Sequence, residues 1–184
     1  CNFHRIVAGD TGLPRARNDG WRCATDDVVL FLDDDVTLSP GLVQRHLEAY
    51  DDRMVGAVAG AVLETPDRYN APSTVSCVLW YGRVWVRLYG GHDQDVGSAR
   101  GANMSFRKSV LEACGGFDPG FGGTHFLEES DLCQRVTSND WRGRYVADAI
   151  LIHHCAPLGG CRPGSDLLGR YWRHHNTGRY QRKH

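Results

Sequence analysis

A short apolar run that ends in three acidic residues constrains the fold more than any other part of the sequence. The run Val28–Leu32 is continuous and rich in strand-forming residues, which is typical of a buried strand covered on both faces. Asp33, Asp34 and Asp35 follow it directly. Ligands of open α/β sheets bind beyond the carboxyl ends of the strands, so these carboxylates are predicted to line a ligand crevice.

The rest of the chain alternates between strand-like and helix-like segments. Strands are predicted at residues 54–63, 103–106 and 145–152, and helices at residues 11–24, 109–114, 128–137 and 165–175. A further helix after the acidic turn is expected to bury one face made of Leu42, Val43, Leu47 and Tyr50. Residues 65–100 are too dense in aromatic residues to decide between strand and helix. This alternation predicts an α/β sandwich.

Composition excludes several classes of protein. No apolar run approaches the roughly 18–20 residues that a membrane-spanning helix needs. A net charge of −1 does not predict a nucleic-acid partner. Seven scattered cysteines, an odd number, argue against a disulfide framework and indicate a reducing, cytoplasmic compartment. The residues after Gly159 are strongly basic, with Asp166 as their sole acid.

The acidic turn is a candidate metal site. Three adjacent carboxylates repel one another and need either a cation or abundant water. Oxygen ligands on an open edge suit Mg²⁺ or Mn²⁺, commonly shared with a phosphate. A solvated acidic turn after a strand is the alternative.

A second acidic group and a histidine pair occur further along the chain. Glu128, Glu129 and Asp131 open a helix, where the helix dipole alone would favour them. Together with a metal site, one of them could instead serve as a general base. His153 and His154 end a strand, so only one of them can face a given site. Two acids and an imidazole would suit Mn²⁺, although a lone histidine is often structural.

Arg17 and Asn18 precede the acidic strand. An arginine fork can hold phosphate oxygens, so this segment could bind a diphosphate opposite the metal. A solvated helix face is the alternative interpretation.

Five segments in this order resemble the family 2 glycosyltransferases of the GT-A fold, from about Gly12 to Arg162. They are Gly-Leu-Pro-Arg-Ala-Arg-Asn-Asp-Gly (12–20), Val-Val-Leu-Phe-Leu-Asp-Asp-Asp (28–35), Arg-Gly-Ala-Asn-Met-Ser-Phe-Arg (100–107), Gly-Gly-Phe-Asp (115–118) and Glu-Glu-Ser-Asp-Leu (128–132). The resemblance implies a GT-A-like, Rossmann-like α/β/α sandwich with a mixed, mostly parallel sheet. It also implies a catalytic core over residues 1–158 and a basic helical segment over residues 159–184.

The resemblance implies a donor site for a nucleotide-diphosphate sugar. Asp33 and Asp34 would face the nucleotide and its ribose, and Asp35 would ligate Mn²⁺ or Mg²⁺. His153 would complete the metal shell, with His154 as the substitute. The nucleotide-sugar pocket would be lined by Arg17 and Asn18.

The same resemblance implies an inverting single displacement. Glu129 stands in the family's base position, where Asp is usual, and would deprotonate the hydroxyl of a glycan or lipid-linked acceptor. The extra methylene leaves Glu128 or Asp131 as alternative bases. The family also normally begins with a strand and loop for the nucleobase. The chain instead opens on Cys1, with no initiator Met, and is expected to be truncated at its N-terminus.

Two other functions are compatible with these residues. The apolar strand and acidic turn also fit a haloacid-dehalogenase-like phosphatase, with Asp33 as nucleophile and Asp35 as acid/base. That family needs an active-site lysine, and the chain has only Lys108 and Lys183. A truncated, non-catalytic module that binds metal or a partner is the second alternative.

The basic C-terminal segment suggests contact with a membrane surface. It could touch anionic lipid or a lipid-diphosphate acceptor, which would make the protein cytoplasmic and peripheral to a membrane. A solvated helix is the alternative.

Overall fold

The computed structural model describes residues 12–64, 76–78, 84–155 and 166–184. Within these ranges the chain forms, in order, α1 (Leu13–Cys23), β1 (Val28–Leu32), β2 (Val36–Leu38), α2 (Leu42–Glu48), β3 (Val55–Leu63), β4 (Ser76–Val78), β5 (Val84–Val86), β6 (Gln94–Asp95), β7 (Asn103–Arg107), α3 (Lys108–Cys114), α4 (Glu128–Ser138), β8 (Arg142–His153) and α5 (Asp166–Lys183). Each helix and strand that the sequence predicts is present, with small differences in its bounds, except that α5 ends eight residues later than expected.

The main sheet is mixed, as predicted, but it is not mostly parallel. Its strand order is β1-β7-β3-β8-β2, with β6 also paired to β8. Only β3 and β8 run parallel in the described residues, whereas the other four pairings are antiparallel. The mostly parallel sheet that the resemblance implies was wrong for these strands, and the apolar patterns could not correct it because they show that a strand is buried but not its direction.

Three strands nevertheless end at the same edge of the sheet. Strand β7 is antiparallel to both β1 and β3, so β1 and β3 share one direction, and β8 is parallel to β3. Leu32, Leu63 and His153 therefore end their strands at one edge. This is the edge at which the acidic turn leaves β1, as the sequence predicts.

Helices cover both faces of β3, which gives the predicted three-layer sandwich. On one face Ala57, Ala59 and Ala61 join a cluster with three buried residues of α4, namely Leu132, Cys133 and Val136. On the other face Val58 and Val62 pack in clusters with residues of α2 and of the 3-10 turn that follows it. The small side chains of β3 let the helices approach the sheet closely.

The buried face of α2 differs from the predicted face. Leu42 and Tyr50 are buried, but Val43 and Leu47 are 52% and 45% exposed. His46, one turn after Leu42, is buried in their place. A histidine is counted as polar in hydrophobic patterning, so the sequence does not reveal this face.

Strand β1 is less covered than predicted. Val28, Val29, Leu30 and Phe31 are half-buried and Leu32 is exposed. Among the described strands β1 pairs only with β7 and lies at the edge of the sheet. An edge strand has a neighbour on one side alone, which explains the partial burial.

Helix α5 packs against the segment that joins α3 to α4. Tyr180 is buried with Phe121 and Leu127, and the Asn176 amide donates to the Gly122 carbonyl at 3.0 Å.

Among the described helices, none combines the length and apolar character that a bilayer crossing requires.

Candidate active site

The turn after β1 and the end of β8 bring two carboxylates and an imidazole together. Val36 of β2 pairs with His153 of β8, which places Asp35 beside that histidine. His153 Nε2 lies 3.1 Å from Asp35 Oδ1 and 3.5 Å from Asp33 Oδ2. One potential ligand atom from each of the three residues lies within 4.8 Å of the others. We call Asp33, Asp35 and His153 the edge cluster.

The donor set of the edge cluster fits a divalent cation. Two carboxylate oxygens and one imidazole nitrogen suit Mn²⁺, and the carboxylates alone suit Mg²⁺. The side chains of Asp33 and Asp35 are 37% and 23% exposed, so a hydrated ion can reach them. A cation would also offset the repulsion between two close carboxylates.

The structure distinguishes the two adjacent histidines, and it also distinguishes Asp34 from the aspartates on either side of it. The ring of His154 bonds the Thr37 hydroxyl at 2.8 Å, outside the edge cluster. Asp34 is exposed and is not part of the cluster, whereas Asp33 lies within it. Asp33 was predicted to face the nucleotide; the structure places it next to the potential ligands Asp35 and His153.

Arg17 lies between the edge cluster and the start of α4. Its guanidinium is ion-paired with Glu128, and its Nη2 is 3.9 Å from Asp33 Oδ1. The side chains of Arg17 and Glu128 are 8% and 1% exposed. Its guanidinium lies over the Phe117 ring, 5.5 Å from the centroid. A side chain at Gly101 would overlap the guanidinium, so any larger residue there would have to displace the end of Arg17.

Asn18 has a structural role. Its amide nitrogen donates to the Phe117 carbonyl at 2.7 Å, and its oxygen accepts from the Phe117 N–H at 2.8 Å. The Trp21 indole N–H donates to the same oxygen at 2.9 Å. With both ends of its buried amide bonded in this way, Asn18 fixes α1 to the segment after α3 and holds the neighbouring Arg17 in place.

The three acids at the start of α4 have different surroundings. Glu128 is buried against Arg17. Asp131 is fully buried and accepts from Arg135 Nη2 at 2.7 Å, with Lys183 Nζ and His184 Nε2 also in contact. Two of the three predicted bases are therefore held by cations within the protein.

The third acid, Glu129, is half-buried. Burial raises the pKa of its carboxyl above the usual range, while the charges of Arg17 and Arg100 and the N–H of Gly101 act in the opposite direction. A carboxylate with a raised pKa is a better proton acceptor near neutral pH.

A buried polar network that sequence reasoning missed supports this edge. The ring of His46 bonds Ser105 Oγ at 2.8 Å and Asn103 Oδ1 at 2.9 Å. The Asn103 amide nitrogen donates to the carbonyls of Ala61 and Ala149 at 3.0 and 2.8 Å. Burial lowers the pKa of His46 and keeps it neutral. Asn103 thereby ties the start of β7 to β3 and β8, two residues from Gly101.

The fold is similar to that of solved glycosyltransferases. The mannosyltransferase PcManGT from Pyrobaculum calidifontis, in complex with GDP-Man and Mn²⁺, aligns with a TM-score of 0.56 and 18% identity over 82% of this chain and 38% of that chain. GalNAc-T7 with UDP, GalNAc and Mn²⁺ aligns with a TM-score of 0.59 and 15% identity over 77% and 30% of the two chains. At these identities the likeness shows the fold, which is the GT-A fold that the resemblance implies.

Curated relatives are similar over most of this chain. The N-acetylglucosaminyl-diphospho-decaprenol L-rhamnosyltransferase of Mycobacterium tuberculosis is 27% identical in an alignment 183 positions long, which covers 90% of this chain and 56% of that protein. The glucosyl-dolichyl phosphate glucuronosyltransferase of Haloferax volcanii is 27% identical over 68% of this chain and 42% of that protein. The chain thus spans about half the length of these relatives.

The sequence profile of Glycosyl transferase family 2 matches residues 3–115. This range includes α1, the acidic turn and the whole of β7. Because the match extends over more than half of the 184 residues, the chain belongs to glycosyl transferase family 2.

Proposed function

We propose that this chain is the catalytic core of a glycosyltransferase that moves a sugar, with inversion, from a nucleotide-diphosphate donor to an acceptor hydroxyl. The observation that carries the proposal is the placement of Arg17, which reaches both the edge cluster and the acids of α4. Donor and acceptor chemistry can therefore meet at one edge of the sheet.

Asp33, Asp35 and His153 would hold Mn²⁺ or Mg²⁺. When bound there, the cation would neutralise charge that builds on the leaving nucleoside diphosphate. Two similar structures contain Mn²⁺, one with GDP-Man and the other with UDP, which supports this cofactor and donor class. Arg17 adds fixed positive charge at the same place, where an arginine fork can orient phosphate oxygens.

Glu129 is the base in this mechanism. It would take the proton from the acceptor hydroxyl as that oxygen attacks the anomeric carbon from the face opposite the leaving group. Its raised pKa favours proton uptake. Glu128 and Asp131 are less suited because each is buried against at least one cation.

The phosphatase alternative has no support in the structure. That mechanism needs a lysine beside the acidic turn. Lys108 Nζ donates to the Ala24 carbonyl at 2.7 Å, and Lys183 contacts Asp118 and Asp131. Both lysines are thus bonded to groups outside the edge cluster. The family match also favours glycosyl transfer.

A lipid-linked acceptor and contact with an anionic membrane surface also belong to the proposal. The names of two relatives specify decaprenol-linked and dolichyl-phosphate-linked substrates. On α5, Leu167 and Tyr171 are 77% and 57% exposed, Arg170 is exposed beside Tyr171, and Arg182 is exposed about three turns further along the helix. Such a face can lie on an anionic interface from the cytoplasmic side. Arg179 is unavailable for it, because it forms an ion pair with Asp118 at 2.8 Å.

Calorimetry tests the donor site. Wild type and Asp35→Ala are titrated with UDP, GDP and dTDP, with and without Mn²⁺. We expect binding of one nucleotide that needs Mn²⁺ and is lost in Asp35→Ala. Binding that is unchanged by Mn²⁺ or by this substitution would contradict the proposed site.

Substitution of Glu129 tests the base. Glu129→Gln should keep nucleotide binding and lower the transfer rate by about 10²–10⁴-fold, the usual contribution of a general base. Glu129→Asp, which restores the family's usual residue, is the matched control and should retain much of the activity. Equal rates for Glu129→Gln and wild type would exclude this role.

Vesicle sedimentation tests the membrane contact. Binding to vesicles with anionic lipid should disappear at high salt and in the double variant Arg170→Glu/Arg182→Glu. Binding that is insensitive to salt would contradict an electrostatic contact.

A further inference from the structure

Cys155 contacts the edge cluster from the side opposite the carboxylates. Its Sγ lies 3.1 Å from His153 Nδ1, while Nε2 of the same ring lies 3.1 Å from Asp35. Cys155 is an exposed, free cysteine with a left-handed backbone conformation, φ 52°. Non-glycine residues rarely adopt this conformation, and here it turns the thiol back towards the ring.

The contact bears on which ring nitrogen carries the proton. A neutral imidazole has one N–H, and a thiol can either donate its S–H or accept at sulfur. Without a cation, Nε2–H can donate to Asp35 while Nδ1 accepts the S–H of Cys155. With a cation, Nε2 must offer its lone pair, so the ring proton has to be on Nδ1, where it can donate to Sγ. The ring holds one proton in both arrangements, and the thiol keeps its own.

We propose that Cys155 is a positioning residue that holds the His153 ring and supports the tautomer needed to bind a divalent cation. This inference rests on the proposed function, because it takes the edge cluster to be the metal site. Histidine ligands of metals almost always donate their second ring N–H to a neighbouring group, and loss of that group typically weakens metal binding 10–100-fold.

The thiol itself is not the ligand in this proposal. Mg²⁺ prefers oxygen ligands and Mn²⁺ accepts oxygen and nitrogen, whereas thiolate suits softer metals. Cys155 also lies at the ring nitrogen that faces away from Asp33 and Asp35.

The test measures Mn²⁺ affinity of the whole 184-residue chain, from the electron paramagnetic resonance signal of free Mn²⁺. Cys155→Ala should bind Mn²⁺ about 10-fold more weakly or worse, since it removes the partner of Nδ1. Cys155→Ser should stay within about 3-fold of wild type, because a hydroxyl also donates and accepts. Cys23→Ala, at another exposed free cysteine, is the matched control and should bind like wild type.

The outcomes separate this inference from the proposed function. If wild type binds Mn²⁺ and Cys155→Ala binds it equally well, Cys155 has no positioning role. If Cys155→Ser is as weak as Cys155→Ala, the hydrogen bond is not the cause and the inference also fails. A thiolate-to-metal absorption band on Co²⁺ substitution would show direct ligation and overturn it too. Failure of wild type to bind Mn²⁺ would remove the metal site of the proposed function, and this inference with it.

Discussion

Two groups of acids lie on either side of Arg17, and their surroundings are opposite. The carboxylates of Asp33 and Asp35 are partly exposed and gather around the imidazole of His153. Glu128 and Asp131 are 1% and 0% exposed, and each contacts cationic side chains of the protein. The first group leaves room for a cation from solution, whereas the second already has its positive charge built in.

The difference follows from the free energy of burying charge. A carboxylate taken out of water is strongly destabilised unless a cation and hydrogen bonds accompany it. At the solvent-exposed edge that requirement is relaxed, so two acids can remain close together until an ion binds. Exposure, rather than the number of acids, separates the proposed metal site from the buried ion pairs in this protein.

The largest expected effect comes from breaking the buried pair. Arg17→Met should lower the free energy of unfolding by about 3–5 kcal/mol, because it leaves the Glu128 carboxylate buried without its cation. Urea unfolding measures the loss. The double variant Arg17→Met/Glu128→Leu removes both charges and should recover most of the stability. A single variant as stable as wild type would contradict the description of this pair.

Mn²⁺ should stabilise the folded protein only by binding to the edge cluster. Mn²⁺ at 100 times its dissociation constant should raise the free energy of unfolding by about 2.7 kcal/mol. Asp35→Asn should abolish that increase, whereas Asp131→Asn, although less stable throughout, should keep it. Thermal or urea unfolding with and without Mn²⁺ is the measurement. An increase that survives in Asp35→Asn would place the cation elsewhere.

Acid should weaken the ion pairs that Asp118 forms with Arg179 and Lys183 of α5. Burial alone would raise the pKa of Asp118, but Lys183, the Gly120 N–H and Arg179 outweigh it and lower the pKa from 3.8 to about 2. A folded-state pKa below the unfolded one contributes stability above about pH 4 that is lost as the pH falls towards 2. After allowance for solvent screening we expect a contribution of about 1 kcal/mol.

The variant Asp118→Asn checks this assignment. Its stability should be below that of wild type at pH 6, and the gap should close as the pH approaches 2. A gap that is constant across the range would mean that Asp118 does not titrate in this way.

The smallest effect is expected at His154. Its hydrogen bond to Thr37 is exposed, so His154→Ala should change the free energy of unfolding by less than about 0.5 kcal/mol. Mn²⁺ affinity should also stay unchanged, whereas His153→Ala should weaken it severely. Equal losses in the two variants would undermine the assignment of His153 to the edge cluster.

Most of the fold could be predicted from the sequence, because the patterns that indicate helices, strands and turns are made by neighbouring residues. The buried strand β3, the acidic turn after β1 and the glycine end of α3 are encoded by neighbouring residues, and all are present. The sequence did not predict the burial of His46 or the antiparallel pairing of β7 with β1 and β3. Both depend on partners that are distant in the chain, and residue type alone does not specify them.

The amino-acid sequence by itself determined the family, the order of the elements and the edge at which the acids collect. Only the tertiary structure decided which carboxylates are paired and which are open to a cation. Arg135 pairs with Asp131 within α4, but Arg17 of α1 and Lys183 of α5 reach the acids of α4 from far away in the chain. Charge pairing across such separations is a property of packing, since burial fixes which ion pairs must form.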